Sequence, residues 1–565
     1  MNQQQPWYGS YPEAAKNFTD SSLKFGHLSE LVTQAAQKFG GSPAASTVLP
    51  NGSSTTLDYI DVDRFTGDFA CYLRSVLGIE PGSVVALMSP NCIGFLIATF
   101  GIFKANCICT NINPLYTAPE IRHQLQDSGA SVLVIADLFG DKADAAIPGT
   151  SVEHVITISL VDFFPGIKKF FLDFVLRRVR KAIPKIRCNP VRLADALEKG
   201  ASHRDRSEVN GWTAGVSLDD TALYQYTGGT TGRSKGAELT HANILFNATT
   251  SVSLVAETMS PGENDCSIVA LPLYHITAFA LVMVPSLANG ALALMIPSPR
   301  PPSNLKAAFE NHRVTHFSGI NTLFTALLEE PWCSSEVLRH LKISSSGGAA
   351  QQVAVAERWK SLTGLDIYQG YGLTECAGCL TLSPYGANRL GSVGVPIPLT
   401  TVKIVDEQGE EMPPGAAGEV IARGPTIMKG YLNQAEASAE TLRDGWLYTG
   451  DIGVMDEDGY LRIVDRVKDM ILVSGFNVYP NEVEEVIAQL AGVVEVGVIG
   501  VPDEKSGEAV RAYVVASDPG LTDSQILAHC TESLTNYKRP RSVVFIDEIP
   551  KSPVGKVLRR DLRNL

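Results

Sequence analysis

Between Val84 and Ala136 the sequence alternates short apolar runs with segments of helical period, and few architectures accept that order. Val84–Ser89, Cys107–Ile112 and Ser131–Ala136 read as buried strands, with helices predicted over Gly94–Asn106 and from Thr117 to about Asp127. Thr117-Ala-Pro-Glu120 is a capping box, in which hydroxyl and carboxylate satisfy orphan N–H groups of the first turn. Strands alternating with helices in this way pair in parallel and carry the helices on the sheet faces. After Gly391 the texture changes to turns and short strands such as Thr401–Val405, which predicts a smaller β-rich subdomain over about Gly391–Leu461. From Arg466 a compact tail begins. There Asn481 is expected to cap a helix whose Val483, Val486, Ile487 and Leu490 form a core-facing stripe, with strands over Glu495–Val501 and Arg511–Ala516. At 565 residues the chain is too long for a single core, so two or more domains are expected.

Charge narrows the partners. Lys and Arg total 47 against 60 Asp and Glu, a net charge of −13, so the surface as a whole repels nucleic acid and none is expected as a partner. The start of the chain, Met-Asn-Gln-Gln-Gln-Pro, is polar and lacks the apolar core of a secretory signal, which predicts a cytoplasmic setting with reduced thiols. Cys107-x-Cys109 and Cys376-x-x-Cys379 have no second pair at zinc-like spacing and read as buried free thiols.

Two stretches bear on membranes. No formal charge occurs between Asp265 and Arg300, yet Pro285 and Asn289-Gly290 break the apolar run into pieces shorter than the roughly 20 residues of a spanning helix. A buried strand, helix and strand are expected there instead. The segment 167–187 concentrates Lys168, Lys169, Arg177, Arg178, Arg180, Lys181, Lys185 and Arg187 against a single acid, Asp173. With Phe170, Phe171, Phe174 and Val175 interleaved, it reads either as a helix lying on the anionic inner leaflet or as one packed on the protein with its basic face in water.

The chemistry is concentrated in Tyr226-Thr-Gly-Gly-Thr-Thr-Gly-Arg-Ser-Lys-Gly236, which follows a short strand. Glycines let backbone N–H groups approach an anion, Thr227, Thr230, Thr231 and Ser234 add hydroxyls, and Lys235 adds a charge. The spacing is not that of a P-loop, and such a loop alone could be an ordinary turn. Four further motifs follow: Gly370-Tyr-Gly-Leu-Thr-Glu375, Tyr448-Thr-Gly-Asp451, Gly459 through Asp469, and Pro550-Lys-Ser-Pro-Val-Gly-Lys556. In this order, and with Ala270-Leu-Pro-Leu-Tyr-His275, they resemble the adenylate-forming superfamily of acyl-CoA synthetases, and within it the bacterial long-chain fatty acid–CoA ligases. The resemblance covers nearly the whole chain.

That resemblance implies an α/β fold: a large N-terminal domain (1–465) of two stacked α/β subdomains plus the β-rich one, and a small mobile α+β C-terminal domain (466–565). It implies ATP-dependent ligation of a medium- or long-chain fatty acid to coenzyme A through an acyl-adenylate, with Mg2+ held at Glu375. Tyr226, Thr227, Gly228, Gly229, Thr230, Thr231, Gly232, Ser234 and Lys235 would cradle phosphates, and Thr374 would lie near the α-phosphate. Gly347, Gly348 and Tyr371 would receive adenine, and Asp451 with Arg466 the ribose. Lys556 would stabilise charge between carboxylate and α-phosphate, Lys468 would be the hinge, and Gly475 and Phe476 would line the pantetheine passage. His275 would border the acyl pocket, for which Phe279, Met283, Phe317, Gly319 and Ile320 are candidates. No acid occurs over Tyr274–Met283 to pair with an amino-acid ammonium, which favours an apolar acyl group. An acyl-AMP ligase, an aryl-CoA ligase, and a membrane-associated fatty acid uptake protein with vestigial catalysis are the alternatives. Peripheral association with the cytoplasmic membrane face follows from 167–187, and a homodimer is an option the sequence leaves open.

Overall fold

A computed structural model describes residues 5–227, 234–260, 265–474, 476–503, 505–552 and 555–565. Among them the strands form four sheets. A seven-stranded sheet runs in the order Val191–Arg192, His154–Ile158, Val132–Ala136, Val84–Met88, Ile108–Asn111, Thr221–Tyr226, Gly236–Thr240. Every pairing is parallel except the last, which is a hairpin. The nine-stranded sheet has six parallel strands at its centre, Ile367–Tyr371, Ile343–Gly347, His316–Gly319, Cys266–Val269, Leu292–Met295 and Pro43–Val48, with antiparallel strands at both edges. The alternating pattern of the first half is therefore realised as expected.

The two sheets share one core. Helix Ile93–Lys104 lies in it with every residue buried, which suits a segment apolar on all sides. Side chains of both sheets, such as Val85 and Leu87 on one and Ala45 and Met295 on the other, belong to the same cluster. The Thr117 capping box forms, with Thr117 N–H donating to Glu120 Oε2 at 2.7 Å. The uncharged stretch folds as strand Cys266–Val269, a helical run over 276–289 with a π turn at Phe279–Met283, and strand Leu292–Met295. Among the described residues no helix is long and apolar enough to cross a membrane.

A third, antiparallel sheet contains Thr401–Val405, Ala417–Arg423, Leu442–Arg443, Trp446–Met455 and Leu461–Arg466, and is the β-rich subdomain. The fourth begins at Ile471 and pairs Val493–Asp503 with Gly507–Ala516 over helices Pro480–Ala488 and Asp523–Ser533. One expectation fails here. Asn481 does not cap the first of these helices, because Tyr479 holds that position and Pro480 opens the helix. Pro480 pre-sets the first-turn dihedral, so no side-chain cap is needed, and Asn481 instead donates from Nδ2 to Val464 O at 3.1 Å.

The basic segment forms helix Gly166–Phe174, continued by a π turn over Val175–Val179. Leu172 and Leu176 pack on Leu49, Val161 and Phe164. Ile167 and the aromatic residues face outward: Ile167 is 90% exposed, Phe170 76%, Phe171 63% and Phe174 49%. Lys169 and Arg177 turn inward, to Asp162 and Asp137.

Candidate active site

The C-terminal ends of the parallel strands meet the third sheet at one place, and the sequence motifs converge on it. Strand Ile343–Gly347 ends in Gly347 and Gly348, and Gly348 takes φ +81°. A Cβ on Gly347 would lie 3.2 Å from Gly370 O, and one on Gly348 would lie 3.7 Å from Lys556 Cε. Backbone is thus laid bare where a flat ring could slide, and the Lys556 stem stands against it.

Asp451 and Arg466 are opposite each other across strands Trp446–Met455 and Leu461–Arg466. Arg466 Nε lies 3.1 Å from Asp451 Oδ1, while Tyr371 OH donates to Oδ2 at 2.7 Å. Burial, followed by the Asp451 carboxylate, holds the Tyr371 phenol protonated. Glu375 sits in the turn Thr374–Cys376, and Tyr431 OH donates to its Oε1 at 2.6 Å. Lys235 Nζ lies 4.9 Å from the centre of the same Tyr431 ring, so the loop lysine and the carboxylate flank one aromatic side chain.

Lys556 is carried by a turn in which Ser552 N–H donates to Lys556 O and Gly555 N–H to Ser552 O, each at 2.7 Å, with Gly555 at φ +81°. Burial lowers its pKa and Arg466 lowers it further, opposed by Asp451 and Glu375. His275 heads the helical run, and burial with the nearby Lys556 ammonium pushes its pKa down to about 3, so the ring is neutral. Lys556, Arg466, Asp451, Glu375 and His275 therefore share one electrostatic site. Lys468, in the turn Val467–Asp469, adjoins it through Arg466 and Asp451, and burial lowers its pKa.

Not every expected residue is here. Tyr226 is buried, with its hydroxyl donating to Asp127 Oδ2 at 2.6 Å, so it anchors the strand rather than facing the cleft. Thr227 N–H donates to Lys235 O at 2.9 Å and pins the base of the loop, where Ser234 also lies. Gly228, Gly229, Thr230, Thr231, Gly232 and Gly475 lie outside the described residues. Phe476 is exposed and stacks on Tyr537 at 4.8 Å.

A cavity of about 110 Å3 leads away from Gly347 and Gly348 between the nine-stranded sheet and the helical run. Of the five acyl-pocket candidates Phe317 and Gly319 line it, whereas Phe279 and Met283 belong to the main core, and Ile320 to a second cluster. The run turns Thr277, Leu281, Pro285 and Ser286 to the cavity instead.

Three positioning residues escaped the sequence reading. Asn91 donates to Val269 O and Leu271 O at 2.9 and 2.8 Å and accepts from Leu273 N–H at 2.8 Å, fixing the turn that presents His275. Gln225 donates to Tyr274 O at 3.0 Å. Tyr431 is the third, and no local pattern marks any of them. For a metal the described residues offer no cluster of three His, Cys, Asp or Glu. A lone carboxylate with one oxygen left fits Mg2+ carried mainly by phosphate and water.

A model of the AMP-binding enzyme family matches residues 32–432, and one of the AMP-binding enzyme C-terminal domain matches 482–556. A long-chain-fatty-acid–CoA ligase of Salmonella typhimurium is 40% identical over 559 residues, 99% of this chain and 98% of its own. Among solved structures, ATP-bound MatB from Rhodopseudomonas palustris superposes with a TM-score of 0.80 at 28% identity, over 95% of this chain and 98% of its own. The anthranilate CoA ligase AuaEII in complex with anthranoyl-AMP superposes at 0.83 and 25% identity, over 97% and 98%.

Proposed function

The chain belongs to the AMP-binding enzyme family, and on that premise we propose that it joins a medium- or long-chain fatty acid to coenzyme A. A carboxylate oxygen attacks the α-phosphorus of ATP and pyrophosphate leaves. The thiol sulfur then attacks the acyl carbon, losing its proton, and AMP leaves. The observation that carries this reading is the convergence of Lys556, Arg466, Asp451, Glu375 and neutral His275 beside an apolar cavity.

Each group has a task in the first step. Lys556 donates to the charge that builds between carboxylate and α-phosphate, where scarce water makes an ammonium effective. Asp451, oriented by Tyr371 and Arg466, accepts from the ribose hydroxyls. Gly347 and Gly348 admit the base. The ring of His275 stays neutral and packs beside the carboxylate without adding a competing cation. Lys235 and the loop it closes neutralise the departing phosphates, and Glu375 would hold Mg2+, whose chemistry is to offset phosphate charge. The second step needs different surroundings, so we assign 466–565 as a mobile unit hinged at Lys468, which withdraws Lys556 and brings 475–476 to the passage for the thiol.

The chain-length reading draws on the full-length likeness to the Salmonella enzyme. The cavity as it stands is smaller than the ~150 Å3 that holds benzene, so a long chain must displace flexible side chains such as Met259 and Leu281. Peripheral membrane binding is part of the same proposal. Ile167, Phe170, Phe171 and Phe174 point outward, with Arg178, Arg180, Lys181, Lys185 and Arg187 following, which suits an anionic bilayer that also stores the substrate. AMP release with acids from acetate to oleate tests the proposal. A rate rising toward long chains and dependent on coenzyme A supports it, and silence with every acid overturns it.

A further inference from the structure

The acyl cavity is apolar along much of its wall but not at its far end. His316 lines it there, 8% exposed. Its strand pairs in parallel with Ile343–Gly347, His316 opposite Ile343, so the imidazole sits about four residues, or roughly 13 Å, below the Gly347 end at 3.3 Å per residue. Ser267, opposite His316 on the neighbouring strand, also faces the cavity.

The hydrogen bonds around His316 hold its ring in place. Thr315 Oγ1 accepts from Cys266 N–H at 2.8 Å and lies 3.1 Å from Cys266 O, which also accepts from Thr315 N–H at 2.9 Å. His316 Nδ1 lies 2.8 Å from the same Oγ1, so one hydrogen bond joins hydroxyl and ring whichever of the two donates. Burial keeps the ring neutral, its pKa pushed down to about 4, partly offset by Asp265. Asp265 itself is paired with Lys342 at 2.7 Å. Nε2 has no hydrogen-bond partner among the described residues. Ser251 Oγ and Ser346 Oγ on the same wall also lack partners, but a hydroxyl can rotate toward a backbone oxygen. A ring held through Nδ1 cannot turn away. Three other cavity hydroxyls are satisfied: Ser318 and Ser345 bond each other at 2.7 Å, and Ser286 donates to Val282 O.

We propose that the far end of the acyl cavity is a hydrogen-bonding subsite, with His316 Nε2 paired to a hydroxyl on the acyl group, and that the enzyme selects hydroxylated acids over unsubstituted ones. This rests on the ligase reading above and narrows its substrate class. A plain hydrocarbon end would leave the buried nitrogen unpaired, whereas a hydroxyl at that depth satisfies it, with Ser267 able to take the second bond.

The test is AMP release from matched pairs of ω-hydroxylated and unsubstituted acids, octanoate to palmitate, with wild type, His316→Leu and His316→Gln. In wild type the ratio of kcat/KM should peak at one chain length at about tenfold in favour of the hydroxylated acid, the worth of one buried hydrogen bond. His316→Leu should abolish the preference through KM, read as the ratio of kcat/KM for each matched pair. His316→Gln, which retains an acceptor, should keep part of it. Turnover of unsubstituted acids with no preference at any length, or a preference that survives His316→Leu, overturns the inference and leaves the ligase reading standing. If wild type turns over no acid, the ligase reading falls and the inference falls with it.

Discussion

Replacing Gly555 by alanine probes how the lysine turn docks. Gly555 has φ +81°, where an L-residue costs about 1–2 kcal/mol. The new Cβ would lie 2.2 Å from Ile320 Cδ1, 2.9 Å from Arg300 Nη2 and 3.0 Å from Thr322 Oγ1. Ile320 is 7% exposed and has little room to retreat, so overpacking adds about 1–3 kcal/mol. Together about 2–5 kcal/mol opposes the placement of Lys556 beside Gly348, a loss of roughly 30- to 5,000-fold in the first half-reaction. The assay is fatty-acid-dependent ATP–pyrophosphate exchange, set beside thioester formation from supplied acyl-adenylate. Exchange should fall by that factor while thioester formation changes by less than threefold, because in the proposed cycle the turn is withdrawn for the second step. Ile320→Ala in the same chain should restore the packing part of the loss and leave the part due to φ. Unchanged exchange with Gly555→Ala, or an equal fall in both half-reactions, would refute the reasoning.

Further outcomes follow from named groups. Burial lowers the Lys556 pKa from its ordinary 10.5, and the proposed mechanism uses the protonated form. The exchange rate should therefore fall with rising pH along a limb below 10.5, and Lys556→Arg should remove that limb; identical alkaline profiles would contradict this. Arg559 joins Glu484 at 2.9 Å and Asp465 at 3.5 Å, tying helix Pro480–Ala488 to the end of the third sheet. Arg559→Ala strands those buried carboxylates at a cost of about 3–5 kcal/mol, which thermal melting and limited proteolysis of the C-terminal region should register. Changing Phe170, Phe171 and Phe174 together to serine should cut sedimentation with anionic vesicles at least tenfold and leave AMP release from a water-soluble acid unchanged; undiminished sedimentation would remove the membrane surface from the account.

Much of the fold was legible because it rests on local signals. Thr117 and Glu120 announce a helix start within four residues, and the apolar runs at Val84 and Val132 are buried on both faces, as a parallel sheet requires. Asn481 was misread because Pro480 offers the helix a start that needs no cap, and tertiary contacts claim the asparagine. The motif residues were legible as a set, but their pairings were not: Tyr371 meets Asp451 across 80 positions. Asn91 shapes the His275 turn from about 180 residues away, and no spacing rule reaches that far. The outward aromatic face of 166–174 was also hidden, since a period of 3.6 marks two faces without saying which one packs.

The central claim is a mixed anhydride between fatty acid and AMP, and oxygen transfer tests it most directly. Palmitate labelled with heavy oxygen in its carboxylate would be turned over with ATP, Mg2+ and coenzyme A, and the products weighed by mass spectrometry. The account predicts one labelled oxygen in the phosphate of AMP for each thioester formed, and none in pyrophosphate. Label in inorganic phosphate or pyrophosphate, or thioester formed with unlabelled AMP, would contradict it.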